Sequence, residues 1–286
     1  MDTKSRDRVK RQNQWLHELT SVEPLALSMC KPVDLTKIEP EILEARNGQL
    51  LDVFNYWRVV LSSEPQQPSF AGAGRSSALL VRDKVSEAIL GVVALSDPPN
   101  TSKPMMRLFQ WDQHDDMRLA HQHQVIMMRR CLPIYEFGGM VGGKLLALVA
   151  TSQEVMRLFE LRFSFQYVYF IIRTLHGKGS QYNRLHTRGI ELVEVDDEGK
   201  GFYAMELRKK GLQHMRTGAQ VGGTRMYKLS DQVAHWKERW LASRLESTGL
   251  TSVITPFPDR YRLSHMLAEK RMTNLSLTGP ENDSAD

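Results

Sequence analysis

Four glycines and a lysine between residues 138 and 144 form the segment of this chain with the clearest chemical potential. Gly138, Gly139, Gly142, Gly143 and Lys144 follow a strand-like segment and precede a helix-like one. Glycines let the backbone pass close to an anion, a helix N-terminus directs N–H groups at it, and a lysine adds positive charge. The spacing therefore predicts a junction that binds phosphate.

The junction also matches the P-loop spacing G-x-x-x-x-G-K, from Gly138 to Lys144, but the next residue is Leu145. A P-loop needs Ser or Thr there to hold magnesium. The best match to an apolar strand ending in a metal-binding acid, residues 89–97, lies before the junction rather than after it. These departures argue against a nucleotide hydrolase.

Basic residues form two groups along the chain. One lies within the first eleven residues, and the other surrounds Arg208, Lys209 and Lys210. Together with the net charge of +5, they favour an anionic partner such as DNA or RNA, although a solvated basic surface has the same pattern. Arg208, Lys209 and Lys210 are the candidate nucleic-acid-binding residues.

Metal and membrane chemistry are not expected. Cys30 and Cys131 are far apart and lack metal-ligand spacing, and a polar helix explains the histidines between residues 114 and 123. No window has the roughly 18 to 20 apolar residues of a membrane helix. The first eleven residues are charged and lack the apolar core of a signal peptide, so a cytoplasmic location is expected.

Periodicity predicts the elements that must position the junction. Helices are predicted over 48–62, 112–122, about 143–163, 229–245 and 260–271, and strands over 77–81, 88–95, 125–134, 167–175, 191–195 and 201–208. Short polar segments predict hairpins between 77–81 and 88–95 and between 191–195 and 201–208. This order predicts an α/β (α+β) fold with mixed strand directions.

Residues 137–146, after the strand at 125–134, resemble the turn of the GNAT N-acetyltransferase superfamily whose backbone amides grip the pyrophosphate of acetyl-CoA. The arginine or glutamine that usually begins the turn is absent. The strand at 167–175 and the following residues 180–185 resemble the fifth strand and short helix of that superfamily, whose tyrosine protonates the departing CoA thiolate. Tyr182 stands at that place.

The GNAT resemblance implies a mixed, mostly antiparallel sheet flanked by helices, with acetyl-CoA as the cofactor. Its cofactor-binding residues would be the four glycines, Lys144 and Asn183. The phenol of Tyr182 suits the acid role, because its ordinary pKa near 10 lies close to that of an alkanethiol. For the base, Glu136 and Asp112 are candidates by position only.

A closer likeness is carried by residues 82–83, 90–95, 142–148 and 179–185, which together are similar to the DruA family. Members of that family occur in Druantia anti-phage systems and near transposase-like genes. The likeness spans about residues 48–210. It implies a role in phage defence or in a mobile element, alongside a helicase-like defence partner, rather than a particular reaction.

These resemblances divide the chain into three parts: a helical N-terminal extension (1–46), a GNAT-like DruA-family domain (47–228) and a helical C-terminal extension with a disordered tail (229–286). Two functions stay open. The protein is either a GNAT-like scaffold that binds nucleic acid or a defence partner, or an acyltransferase that uses acetyl-CoA. A third hypothesis is that exposed Trp236 and Trp240 dock a partner.

Overall fold

A computed structural model describes residues 13–62, 74–99, 102–174 and 181–268 of the chain. Its strands are β1 (Val33–Asp34), β2 (Pro40–Glu44), β3 (Ser76–Asp83), β4 (Ile89–Ser96), β5 (Val125–Pro133), β6 (Tyr169–Arg173), β7 (Glu191–Val195), β8 (Gly201–Glu206) and β9 (Val253–Ile254). Its helices are α1 (described over 13–19), α2 (Glu23–Ser28), α3 (Gly48–Leu61), α4 (Lys103–Phe109), α5 (Asp115–His121), α6 (Tyr135–Gly139), α7 (Gly142–Ala150), α8 (Gln153–Phe163), α9 (Gly211–Thr217), α10 (Leu229–Trp236) and α11 (Ala242–Thr248).

Seven strands form one sheet in the order β2-β3-β4-β5-β6-β8-β7, and β1 pairs with β9 in a separate two-stranded sheet. Strands β5 and β6 run parallel, whereas every other neighbouring pair is antiparallel. The predicted fold class, α+β with a mixed and mostly antiparallel sheet flanked by helices, is confirmed. The β3–β4 and β7–β8 hairpins are those that the short polar segments predicted.

The central strands contribute side chains to two hydrophobic cores. On β5, Ile126 and Met128 belong to the larger core, and Val125 and Met127 belong to the smaller one. Successive residues of a strand point to opposite faces, so the two cores cover both faces of the sheet. Helices α3 and α7 lie against β4 and β5 on the side of the larger core. Helices α4 and α9 supply side chains to the smaller core.

The N-terminal part is less helical than expected. After α1 and α2, β1 pairs with β9, and β2 joins the edge of the main sheet by pairing with β3. The expected helical extension is therefore corrected over 33–44. Strand β2 is short and begins with Pro40, a residue that an edge strand tolerates. The domain boundaries at 46 and 228 stay predictions, and the basic group of the first eleven residues lies outside the described residues.

Three predicted helices differ in detail. The helix expected over about 143–163 is divided into α7 and α8, because Ser152 caps α8 by accepting from the Val155 N–H at 3.4 Å. The helix expected over 229–245 reaches Thr248 and contains a π-helical turn, Lys237–Leu241. The helix expected over 260–271 starts as a 3-10 turn, Pro258–Tyr261, and continues at 263–268. The expected disordered tail lies outside the described residues.

The C-terminal segment packs into the same core as the rest of the chain. Trp236 and Tyr261 are fully buried, and Trp240 is only 8% exposed. The indole N–H of Trp236 donates to the carbonyl of Val141 at 3.0 Å. The hypothesis that exposed Trp236 and Trp240 dock a partner is therefore wrong, because this chain itself covers both rings.

Candidate functional site

The parallel strands β5 and β6 separate halfway along β5. Residues 125–128 pair with β6, but β5 continues to Pro133 with only β4 beside it in the sheet. Beyond residue 128, residues 181–183 lie beside β5 in place of β6, since the Gln181 side-chain amide donates to the Cys131 carbonyl at 3.0 Å. Residues 175–180, which connect β6 to this segment, lie outside the described residues.

The glycine junction at the end of β5 is helical rather than an open turn. Helix α6 runs to Gly139 and helix α7 begins at Gly142, so the predicted irregular turn is corrected. Val141 joins the helices with a φ of 59°, in the left-handed region that a β-branched residue rarely adopts. The carbonyl of this strained residue accepts the Trp236 indole N–H at 3.0 Å.

Neighbouring side chains explain two of the four glycines. A Cβ on Gly142 would lie within 2.6 Å of Phe137 Cε1, and a Cβ on Gly143 would lie within 2.9 Å of Gln181 Cδ. Gly139 has open space around this position, and Gly138 has only Pro133 near it, at 3.4 Å. Gly142 and Gly143 therefore allow close packing of a buried ring and an amide side chain, which cover the place where the sequence predicted an anion.

Lys144 binds backbone carbonyls of this chain. Its ammonium group donates to the carbonyl of Gln181 at 3.0 Å and to the carbonyl of Asn183 at 2.5 Å. Burial lowers the pKa of Lys144, and the nearby positive charge of Arg184 lowers it further. The expected role of Lys144 as a free charge for an anion is corrected, because it fastens residues 181–183 to α7.

Tyr182 is buried, with 8% of its surface exposed. Its hydroxyl accepts from the Gln181 side-chain amide at 2.9 Å. Burial raises the pKa of Tyr182 well above its ordinary value, and burial also raises the pKa of the neighbouring Cys131 thiol to about 12. Both groups are therefore neutral near pH 7. The side-chain oxygen of Asn183 accepts from the Tyr203 hydroxyl at 2.6 Å.

The candidate bases lie in other networks. Glu136 accepts from the Tyr261 hydroxyl and, at 3.3 Å, from Arg260, so it ties α6 to the C-terminal segment. Over the described ranges, no hydrogen bond given by the structure joins Glu136 to Tyr182. Asp112 is exposed just after the buried Trp111. Within the part of the chain that the structure describes, neither candidate base is therefore hydrogen-bonded to Tyr182.

The three basic candidates differ in their availability. Arg208 forms an ion pair with Glu160 at 2.6 Å, and its side chain is 15% exposed. Lys209 and Lys210 are exposed, and neither forms an ion pair within the described part of the chain. The expectation for Arg208 is corrected in this respect, since its charge is already neutralised by a carboxylate.

A basic recess that sequence reasoning missed lies beside Val141. The cavity has a volume of about 340 Å³, and its polar and aromatic lining residues define what is called here the basic pocket: Arg184, Arg239, Trp240, Ser243, Arg244 and Ser247. No carboxylate is among its described lining residues. Within the described ranges, none of its three arginines forms an ion pair. The three guanidinium groups are therefore not engaged by carboxylates of the described residues.

Three elements build the basic pocket. Arg184 comes from the turn that Lys144 fastens, and the other residues come from the π-helical turn and α11. A sequence signal for part of it existed, because Trp240, Ser243, Arg244 and Ser247 have the spacing of one helix face. The contribution of Arg184 had no such signal, because it lies more than fifty residues earlier.

Other site classes are not found among the described residues. No group of three His, Cys, Asp or Glu side chains there is arranged to hold a metal ion. Among the same residues, every helix is too short or too polar to cross a bilayer.

Comparison with known proteins identifies one family. Residues 2–190, more than half of the chain, match the family model described as Druantia protein DruA. No curated protein and no solved structure gives a significant match to the chain.

Proposed function

The chain belongs to the DruA family, and on this premise we propose that it acts in anti-phage defence by binding nucleic acid. The observation that carries this proposal is the basic pocket, in which three arginines converge without a carboxylate. Guanidinium groups bind phosphate oxygens in a bidentate manner and stay charged at any physiological pH. The exposed Lys209 and Lys210, which follow β8 at the end of the sheet where β5 begins, would form a second, separate contact with the phosphate backbone.

Two features make this pocket a better candidate than the glycine junction. The junction glycines are covered by Phe137 and Gln181, whereas the arginine side chains of the pocket are exposed. In addition, the Arg244 Nε donates to the Gly139 carbonyl at 3.2 Å, which holds this side chain in place. A positioned guanidinium loses less conformational entropy when it binds a phosphate.

The scaffold would be GNAT-like. The parallel β5–β6 pair that separates after Met128 supports this part of the proposal, as does the helix α7 that follows β5. A strand that splays from its parallel neighbour, with a turn and helix behind it, is the arrangement of that superfamily. A defence partner such as a helicase remains part of the proposal through family membership alone.

Fluorescence anisotropy with a labelled 30-nucleotide DNA, single- or double-stranded, tests nucleic-acid binding at 50 and 200 mM salt. We expect binding that weakens steeply with salt, because neutralised phosphates release counterions. Arg239→Glu together with Arg244→Glu should weaken binding for all sequences and lower the magnitude of the salt slope by about 2.

The control matched in charge to Arg239→Glu alone is Lys103→Glu, which reverses one exposed charge at the start of α4, the helix that packs in the smaller core. An acidic residue is tolerated in a first helical turn, so this variant should fold and bind normally. Absence of binding at 50 mM salt, or equal effects of the control and the pocket variant, would contradict the proposal.

A second candidate function, an N-acyltransferase using acetyl-CoA, is favoured by the separation of β5 from β6 and by Tyr182 beside it. It requires residues 181–183 to move, because they now fill the gap. Isothermal titration with acetyl-CoA is the test. Saturable heat that is lost in Gly143→Trp would support it, and no heat with the unaltered protein would exclude it.

A further inference from the structure

The basic pocket concentrates charge in one recess, and this suggests what part of a nucleic acid it takes. We propose that it binds the terminal phosphate monoester of a nucleic-acid strand. This inference rests on the proposed function and names the chemical group that the same site recognises.

The lining has the chemistry of a phosphate site. Three arginines of the lining supply charged donors, and the Ser243 hydroxyl is a neutral donor, whereas the Ser247 hydroxyl donates to the Arg244 carbonyl at 3.2 Å. Arg244 already uses its Nε on the Gly139 carbonyl, so its two terminal nitrogens stay available for oxygen atoms of a ligand. The recess therefore offers more donors than a single diester oxygen pair can accept.

The density of charge argues for a strand end. A phosphodiester inside a strand carries a single negative charge, whereas a terminal monoester carries about −1.5 to −2 at pH 7 and has three strong acceptor oxygens. The three arginines surround one cavity of about 340 Å³, which lies near the small end of the range of ligand pockets. A track along a strand would instead spread its cations over a longer groove.

Lys144 adds a further positive charge close to the pocket, next to the ring of Trp240. The ammonium group of Lys144 lies 5.7 Å from the centroid of the Trp240 ring. The same group donates to the carbonyl of Asn183, the residue before Arg184. His235 packs edge-on against the same ring at 5.1 Å. The indole of Trp240 thus lines the pocket and is held in place by Lys144 and His235.

A second cavity among the described residues does not have this character. Its volume is about 450 Å³, and its lining carries both signs of charge, with Glu191 and Glu206 beside Arg188 and Arg225. Arg225 forms an ion pair with Glu206, and Arg188 lies over the Tyr227 ring at 4.2 Å. Opposite charges on one lining cancel, so this cavity does not select a doubly charged anion.

The test compares strands that differ only at their ends. A 12-nucleotide single-stranded DNA is prepared with a 5′-phosphate, with a 3′-phosphate and with hydroxyls at both ends, and a closed circular strand provides DNA without ends. Anisotropy competition at pH 7.5 measures the affinity of each. We expect a phosphate on at least one of the two ends to raise affinity about tenfold over the hydroxyl-ended strand. This is the size of effect expected from one additional hydrogen bond between charged groups.

Variants locate the preference. Arg239→Gln with Arg244→Gln, and Arg184→Gln separately, should abolish the preference for the phosphorylated end, whereas Lys209→Gln with Lys210→Gln should weaken all strands equally. These positions are exposed, so circular dichroism should match that of the unaltered protein. Arg239→Gln alone, which keeps the bond from Arg244 to the Gly139 carbonyl, controls for a loss of stability in the double variant. Lowering the pH from 7.5 to 5.5 should reduce the preference, because the monoester gains a proton with a pKa near 6.

Each outcome decides the matter. Equal affinity for phosphorylated, hydroxyl-ended and circular strands overturns recognition of the end and leaves nucleic-acid binding intact. Absence of binding to every strand overturns both. A preference that survives Arg239→Gln with Arg244→Gln overturns the assignment to this pocket. Adenosine monophosphate that competes as strongly as the phosphorylated strand shows recognition of a free nucleotide and overturns recognition of strands.

Discussion

Replacing Gly142 by alanine tests whether the glycine junction is a packed element or an open anion site. The ring of Phe137 lies against Gly142, and a Cβ there would come within 2.6 Å of Phe137 Cε1. Phe137 is fully buried, and its ring centroid lies 6.0 Å from that of Trp236, which is also fully buried. The ring of Phe137 therefore packs against both Gly142 and Trp236 in the core.

The expected loss follows from two opposing effects. Overpacking a filled core costs about 1–3 kcal/mol, whereas alanine stabilises a helix by about 0.5–1 kcal/mol relative to glycine. Gly142→Ala should therefore destabilise the protein by about 1–2 kcal/mol. Gly139→Ala is the matched control, because it lies in α6 and a Cβ there meets no atom within 4 Å. The control should be neutral or stabilised by up to about 1 kcal/mol.

Urea unfolding followed by circular dichroism measures the difference. With a slope of about 2 kcal/mol per molar urea, a gap of about 2 kcal/mol between the variants separates their midpoints by about 1 M. If Gly142→Ala is as stable as Gly139→Ala, the ring does not cover the glycine, and the junction is open enough to hold a phosphate as its sequence pattern suggests.

Three further predictions concern the same region and the sheet edge. Lys144→Met leaves the carbonyls of Gln181 and Asn183 without their donor and should cost about 1–3 kcal/mol in urea unfolding. Val141→Gly removes a left-handed strain of about 1–2 kcal/mol together with a half-buried side chain, so thermal unfolding should change little. Burial opposes ionisation of Asp83, but hydrogen bonds from Ser86 and from a backbone N–H outweigh burial and lower the pKa of Asp83. The contribution of ionised Asp83 to stability should therefore be fully present above about pH 4, near the pKa of an unfolded Asp, and should be lost as the pH falls through the pKa of the folded state. Asp83→Asn should flatten this loss in urea unfolding measured from pH 6 to pH 2.

Sequence reasoning predicted the sheet well because its signals are local. The continuous apolar run of β4 predicted a strand buried on both faces, and short polar segments predicted both hairpins. Strand β2 was missed because it is short, begins with Pro40 and carries glutamates at the edge of the sheet. The break between α7 and α8 was missed although Ser152 is a typical N-cap, because the apolar spacing continues across it.

The glycine junction shows why the site itself was harder to predict. The same glycine pattern occurs in a sequence whether the absence of a side chain makes room for an anion or for another residue. At Gly143 the space is taken by Gln181, a residue far along the chain, and only the tertiary structure reveals this. Likewise, the arginines of the basic pocket come from two distant segments, so no window of sequence contains them together.

The basic pocket depends on the C-terminal helices, and this constrains how its function is distributed along the chain. Arg184 lies within the residues that match the DruA family, whereas Arg239 and Arg244 lie after residue 190. The later segment is fastened to the junction by the bonds from Trp236 to Val141 and from Arg244 to Gly139. The proposed phosphate recognition therefore requires both parts to fold together, since neither part alone carries all three arginines.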